Sequence, residues 1–163
     1  MRSNEYHFLT RWRVEATAEE VFDVLEKPLD LVRWWPFYLD VKEIEPDVHE
    51  FYARGWLPYS MRWRMRRTKL HRPTGFSLEA WGDFEGIGVW SFAQDGNYVD
   101  ITYDWRIKGE KLLLRTLSFL LRPIFAANHN WVMAQGERSL KQELLRRKAL
   151  QASVDPAGLT QSR

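Results

Sequence analysis

Apolar and polar side chains alternate from residue 6 to residue 15. Tyr6, Phe8, Trp12 and Val14 fall on one face, and His7, Arg11, Arg13 and Glu15 on the other. A period of two predicts a half-buried strand. The pattern then shifts: Thr17 followed by Glu20 forms a capping box, and Val21, Phe22, Val24 and Leu25 make one apolar helical stripe, so a short helix is predicted to end before Pro28. Asp30 to Trp35 predicts a further turn or two of helix. Asp30 serves there as N-cap and Pro36 as terminator, because the residue before a proline disfavours helical backbone.

From Leu39 to Ile107 strand patterns alternate with turn residues, predicting strands at about 39–45, 50–56, 59–70, 76–85, 87–94 and 98–107. Pro46-Asp47, Gly55 with Pro58, Pro73 with Gly75, and Asp95-Gly96-Asn97 separate them. Strands joined by such short links form an antiparallel meander. Beyond Gly109 the period becomes helical as far as about Ala152. Pro123 should kink or restart that segment, leaving one long helix from about Ile124 to Ala149. The predicted fold class is α+β: a curved seven-stranded antiparallel sheet around a long C-terminal helix, with two short helices after strand 1. Residues 1–152 form one domain in this reading, and the small, polar residues 153–163 a loose tail.

A curved sheet packed on one helix buries its concave face, so parity sorts inner from outer side chains. Met61, Trp63 and Met65 alternate with arginines, and Ile101, Tyr103, Trp105 and Ile107 alternate with Thr102, Asp104 and Arg106; the apolar sets should point inward, joined by Trp90 and Phe92. On the long helix, Phe125, His129, Val132, Met133, Gly136, Leu140 and Leu144 share one stripe facing the sheet. A glycine inside a helix costs about 1 kcal/mol against alanine, so Gly136 predicts a close approach of helix and strand. N-terminal to it the helix diverges, leaving space bounded by Phe125, Asn128, His129 and Val132. The alternative is a solid core filled by these same rings, which would suit a protein-interaction module.

Composition narrows the chemistry. An apolar share of 45% and a charged share of 28% are ordinary for a globular chain, whereas nine tryptophans in 163 residues are not. Such rings suit the lining of an apolar cavity. The absence of cysteine excludes disulfides and thiolate metal sites and fits a reducing compartment, and the N-terminus lacks an export signal, so the cytoplasm is expected. A net charge of +2 gives no field that would gather nucleic acid. His7, His49, His71 and His129 are scattered, so no metal site is expected. Neither a nucleophile elbow nor a cysteine nucleophile is present, which sets hydrolases aside. Gly82, Gly86 and Gly88 lie between strands with no helix following, so the dinucleotide fingerprint fails and they should serve sheet bending and packing. Arg62, Arg64, Arg66, Arg67, Lys69 and Arg72 are placed on the outer face, paired with acids such as Glu79, Asp83 and Glu85 on the next strand. Residues 112–126 are strongly apolar but too short to span a bilayer. They would gate a cavity mouth, rest transiently on a membrane surface, or simply pack on the sheet edge.

The order strand, two short helices, six strands, long helix, together with RWRVEATAEEVFDVLEKPLDLVRWWP, EAWGDFEGIGVWSF, DGNYVDITYDW and NHNWVMAQGERSLKQEL, resembles the polyketide cyclase/dehydrase and lipid transport family of START-like and Bet v 1-like (SRPBCC) proteins. The resemblance spans about residues 5–147. It implies a helix-grip fold and an apolar small-molecule cavity, and needs no cofactor. The first expectation is a carrier or sequestering module for a lipid-like, quinone-like or polycyclic aromatic molecule. Trp63, Met65, Trp90, Phe92, Tyr103, Trp105, Phe125, Asn128, His129 and Val132 would touch the ligand, with His129, Asn128 and Tyr103 fixing its polar head. The alternative is a cyclase or aromatase in which His129 or Tyr103 assists enolisation or dehydration.

Overall fold

A computed structural model describes residues 5–109 and 118–154. One seven-stranded antiparallel sheet contains β1 (Glu5–Glu15), β2 (Tyr38–Glu45), β3 (Val48–Ala53), β4 (Met61–His71), β5 (Gly75–Gly82), β6 (Phe84–Asp95) and β7 (Tyr98–Gly109). Its order is β1-β7-β6-β5-β4-β3-β2, so β2 to β7 form a meander and β1 closes the far edge on β7. The register aligns Tyr6 with Ile107 and Trp12 with Ile101, keeping the inward residues of both strands on one face. α1 (Ala18–Leu25), a single 3₁₀ turn (Pro28–Asp30) and α2 (Leu31–Trp34) fill the link from β1 to β2, and α3 (Ser118–Val154) packs against the sheet.

Local chemistry explains these elements. Thr17 Oγ1 accepts from the Glu20 amide at 3.2 Å while Glu20 Oε2 accepts from the Thr17 amide at 2.8 Å, completing the capping box of α1. Asp30 precedes α2 but makes no side-chain cap; its carboxylate leans instead toward Arg33 and Arg147. Buried Val21, Phe22, Val24 and Leu25 seat α1 on the end of the sheet, where Phe22 meets Phe76 and Phe92 edge-on. On α3 the predicted stripe is the packed one, with Val132, Met133, Leu140 and Leu144 all buried.

Several boundaries differ from the sequence expectation: β3 spans Val48–Ala53 where 50–56 was expected, β5 ends at Gly82 and not at 85, and α3 runs to Val154, two residues into the expected tail. α3 starts at Ser118 and runs through Pro123, which falls in its second turn; there a proline interrupts the ladder close to the helix end and not in its middle. β6 begins at Phe84, straight after the tight turn at Gly82 and Asp83, because Gly82 adopts a φ of +127° and reverses the chain within one residue. Residues 112–117 of the expected gate and residues 155–163 of the expected tail lie outside the described residues. No helix among the described residues is long and apolar enough to cross a membrane.

Candidate ligand cavity

The concave face of the sheet and α3 do not meet along their whole length. Between them lies a cavity of about 200 Å³. Trp63 and Met65 of β4, Trp90 of β6, and Tyr103 and Trp105 of β7 line it from the sheet, and Phe125, Asn128, His129 and Val132 line it from α3. Nine of the ten residues singled out by parity and helical spacing thus share one wall system. The tenth, Phe92, shares their parity but lies further along β6, where it packs against Phe22 and Phe76 at 6.2 Å under α1 and is absent from the lining.

The wall is a continuous run of rings. Trp90 stacks on Tyr103 with centroids 4.1 Å apart, Tyr103 on Trp105 at 5.7 Å, and Trp63 on Phe51 at 5.5 Å. Gly86 and Gly88 leave room for this stack: a Cβ at 88 would stand 2.8 Å from the Tyr103 hydroxyl and 2.9 Å from Leu78 Cδ1. Trp35, Phe37, Tyr38 and Tyr59 are also part of the lining. Trp35 and Phe37 come from the turn after α2 and Tyr59 from the loop before β4, stretches without periodicity, while Tyr38 is the first residue of β2, one position before the expected strand, so only their aromatic density could have flagged them in the sequence.

Polar groups are few and mostly uncharged. His129 stacks on Phe8 with centroids 4.0 Å apart, and its Nε2 is buried without a hydrogen-bond partner among the described residues. Burial lowers its pKa to about 4, so the ring is neutral near pH 7. Asn128 was expected to hold a polar head, but its Oδ1 already accepts the Trp56 amide at 3.1 Å, tying the β3–β4 loop to α3. Gly55 lies flat on the same carboxamide, where a Cβ would stand 2.9 Å from Nδ2. The Tyr6 hydroxyl and the Nε1 atoms of Trp35 and Trp63, all on lining residues, are also buried and have no hydrogen-bond partner among the described residues. Desolvation raises the phenols of Tyr38, Tyr59 and Tyr103, keeping them protonated.

One basic residue is on the inner side, contrary to expectation. Arg67 shares the parity of Met61, Trp63 and Met65, so it turns toward the cavity, where Nη1 donates to the Glu26 carboxylate at 3.1 Å and to the Glu26 carbonyl at 3.3 Å, and Asp47 lies 3.6 Å away. Together with His49 these residues form the charged end of the cavity, while Tyr6, Tyr59 and Phe125 form the aromatic end. The outer arginines are paired as a solvated face: Arg62 and Arg64 with Glu50 of β3, and Arg66 with Glu79 of β5. Arg72 reaches back to Asp23 and Glu19 on α1.

A long helix gripped by a curved seven-stranded sheet, with an aromatic cavity between them, is the START-like helix-grip fold. No protein-family model matches the sequence, and no curated protein matches it either. Solved structures with this fold include TTHA0849 from Thermus thermophilus, at 13% identity, covering 87% of this chain and 99% of that one with a TM-score of 0.75. The Zhui aromatase/cyclase from Streptomyces sp. R1128 is similar at 16% identity over 94% of this chain and 98% of that one, TM-score 0.72. A START superfamily protein from Mycobacterium smegmatis aligns at 9% identity over 86% and 97%, TM-score 0.70.

Proposed function

We propose that this protein binds a hydrophobic small molecule, lipid-like, quinone-like or polycyclic aromatic, between the sheet and α3, and acts as a carrier or sequestering module. The observation that carries the reading is the cavity itself: a closed core would have filled this space, since protein interiors are packed to the density of organic crystals. Aromatic rings make up about half of its lining, and burial of flat apolar area against such rings supplies affinity with little ordering of the protein. Trp63, Met65, Trp90, Tyr103, Trp105, Phe125, His129 and Val132 are the proposed contacts. Release or exchange against a membrane surface near residues 112–126 belongs to the same proposal.

Native mass spectrometry of gently purified protein, followed by denaturing extraction, tests the reading. A stoichiometric apolar adduct supports it and names the chemical class. A clean apo mass, with no binding of added aromatic or lipid probes, overturns it.

A second reading is favoured by one observation: a neutral, buried imidazole stands in the cavity wall and can accept a proton, and one of the similar structures is an aromatase/cyclase. On that reading His129 or Tyr103 assists enolisation of a substrate held by the rings. His129→Ala separates the two, abolishing turnover of a polyketide-like substrate in an enzyme but only weakening binding in a carrier.

A further inference from the structure

Tyr38 opens β2 and Tyr103 sits in the middle of β7, with four strands between them in sheet order. The curvature of the sheet nevertheless brings both rings to the same cavity. Tyr103 is clamped by its stacks on Trp90 and Trp105, and its hydroxyl lies over Gly88. Tyr38 is held edge-on by Trp35 at 5.2 Å and tilted against Phe51 at 5.7 Å and Trp63 at 6.2 Å. Both side chains are therefore fixed by rings on several sides. Neither hydroxyl has a hydrogen-bond partner among the described residues, although Tyr103 is only 7% exposed. Neither oxygen is fully enclosed by protein, so each hydroxyl opens to the cavity, where a ligand acceptor can satisfy it. Burial raises both phenols, and Tyr103 is raised further by the proximity of Tyr38, so both keep their protons and can donate at any ordinary pH.

We propose that Tyr38 and Tyr103 form a paired-phenol subsite for one carbonyl oxygen of a flat, uncharged ligand lying against Trp63 and Trp90. The inference rests on the cavity being a ligand site. A carbonyl oxygen has two lone pairs and so takes one O–H from each side. A carboxylate is disfavoured at the same place, because a buried charge needs a counter-charge. Arg67, the only Lys or Arg among the described lining residues, is already engaged by Glu26 and Asp47. The subsite thus selects ketones and quinones over fatty acids, and moves the polar-head role from Asn128, which is occupied, to the two tyrosines.

Fluorene, 9-fluorenone and fluorene-9-carboxylate share one ring system and differ only in the group presented. Titration of tryptophan fluorescence with each, on wild type, Tyr38→Phe, Tyr103→Phe and the double variant, reads the subsite directly. Wild type should bind fluorenone about tenfold more tightly than fluorene, and each Phe variant should lose roughly fivefold for fluorenone with less than about a twofold change for fluorene. The Phe substitutions keep the stacked rings, and retained fluorene binding shows that the cavity is intact. Equal fluorenone binding by wild type and double variant, or tighter binding of the carboxylate, overturns the subsite while leaving the cavity reading standing. Failure of wild type to bind either neutral probe overturns the cavity reading and the subsite with it.

Discussion

The indole of Trp35 lies directly on Gly136. A Cβ at position 136 would stand 2.9 Å from Cη2 and closer still to Cζ2 and Cε2, so this point of α3 admits no side chain. Trp35 cannot retreat, because Trp12 at 5.6 Å, Trp34 at 5.6 Å and Tyr38 at 5.2 Å enclose it. Gly136→Ala should gain about 1 kcal/mol of helix propensity but lose about 2–3 kcal/mol to overpacking, a net destabilisation of about 1–2 kcal/mol. Thermal unfolding should show a fall of roughly 3–6 °C. An unchanged or raised Tm would show that the contact is loose.

The helical stripe of α3 made Gly136 visible in the sequence, yet its partner was not. A strand is the neighbour that the stripe predicts, whereas the contact comes from the residue just after α2, where Pro36 stops the helix and no periodicity announces the direction of the ring. The same division holds across the site. Trp63, Trp90, Tyr103 and Trp105 were legible because a strand facing a core must alternate, and Val132 because a packed helix must repeat every three to four residues. Phe92 obeyed the parity but sits too far along β6, a longitudinal coordinate that parity does not contain. Arg67 obeys parity as well, but a lone positive charge points to the outer face unless its partner is known, and the Glu26 carboxylate that satisfies it lies 41 residues away in sequence. Tyr38 stands at the very start of β2 and Tyr59 in the loop before β4, and only the three-dimensional closure of the sheet brings them to the cavity.

Glu143 is the buried anchor between α2 and α3. Its carboxylate accepts from Arg33 at 2.7 and 3.0 Å, from Arg146 at 2.8 and 2.9 Å, and from Arg147 at 3.0 Å. The bonds from Arg146, and then those from Arg33 and Arg147, hold its pKa well below the usual carboxylate range despite the opposing effect of burial. A depressed pKa means stabilisation that is complete above the unfolded value of about 4.3 and lost as pH falls below it. Glu143→Gln should therefore cost about 2 kcal/mol at pH 7. The gap between wild type and variant should narrow steadily below about pH 4. Urea midpoints at pH 7, 4.5 and 3 check this, and a gap independent of pH would remove the charge from the explanation.

Asn128 holds the β3–β4 loop by one hydrogen bond to the Trp56 amide, with Gly55 flat against the carboxamide. Asn128→Ala should cost about 1 kcal/mol in global stability. Its larger effect should be local: amide exchange at Trp56 and its neighbours should rise while exchange in β4 and β7 stays as in wild type. Asn128→Asp retains the acceptor and should keep the Trp56 amide protected at neutral pH. Equal protection of Trp56 in wild type and Asn128→Ala would show that packing of Leu57, and not this bond, holds the loop.

His129 gives the protein a pH dependence in a different window. Burial lowers its pKa to about 4 in the folded protein, against about 6.5 for the unfolded chain. Between those values the unfolded state binds a proton that the folded state refuses, so stability is full above about pH 6.5 and declines as pH falls toward 4. His49 is also lowered, chiefly by desolvation, and contributes in the same direction. His129→Gln removes the larger part, so its stability curve between pH 6.5 and 4.5 should be flatter than that of wild type, with the His49 share remaining. Denaturant midpoints across that interval measure the slope, and the His129 ring resonances, followed by NMR, should titrate near pH 4. Titration near 6.5, or parallel curves for wild type and variant, would mean that the Phe8 stack and the cavity wall leave this imidazole open to water.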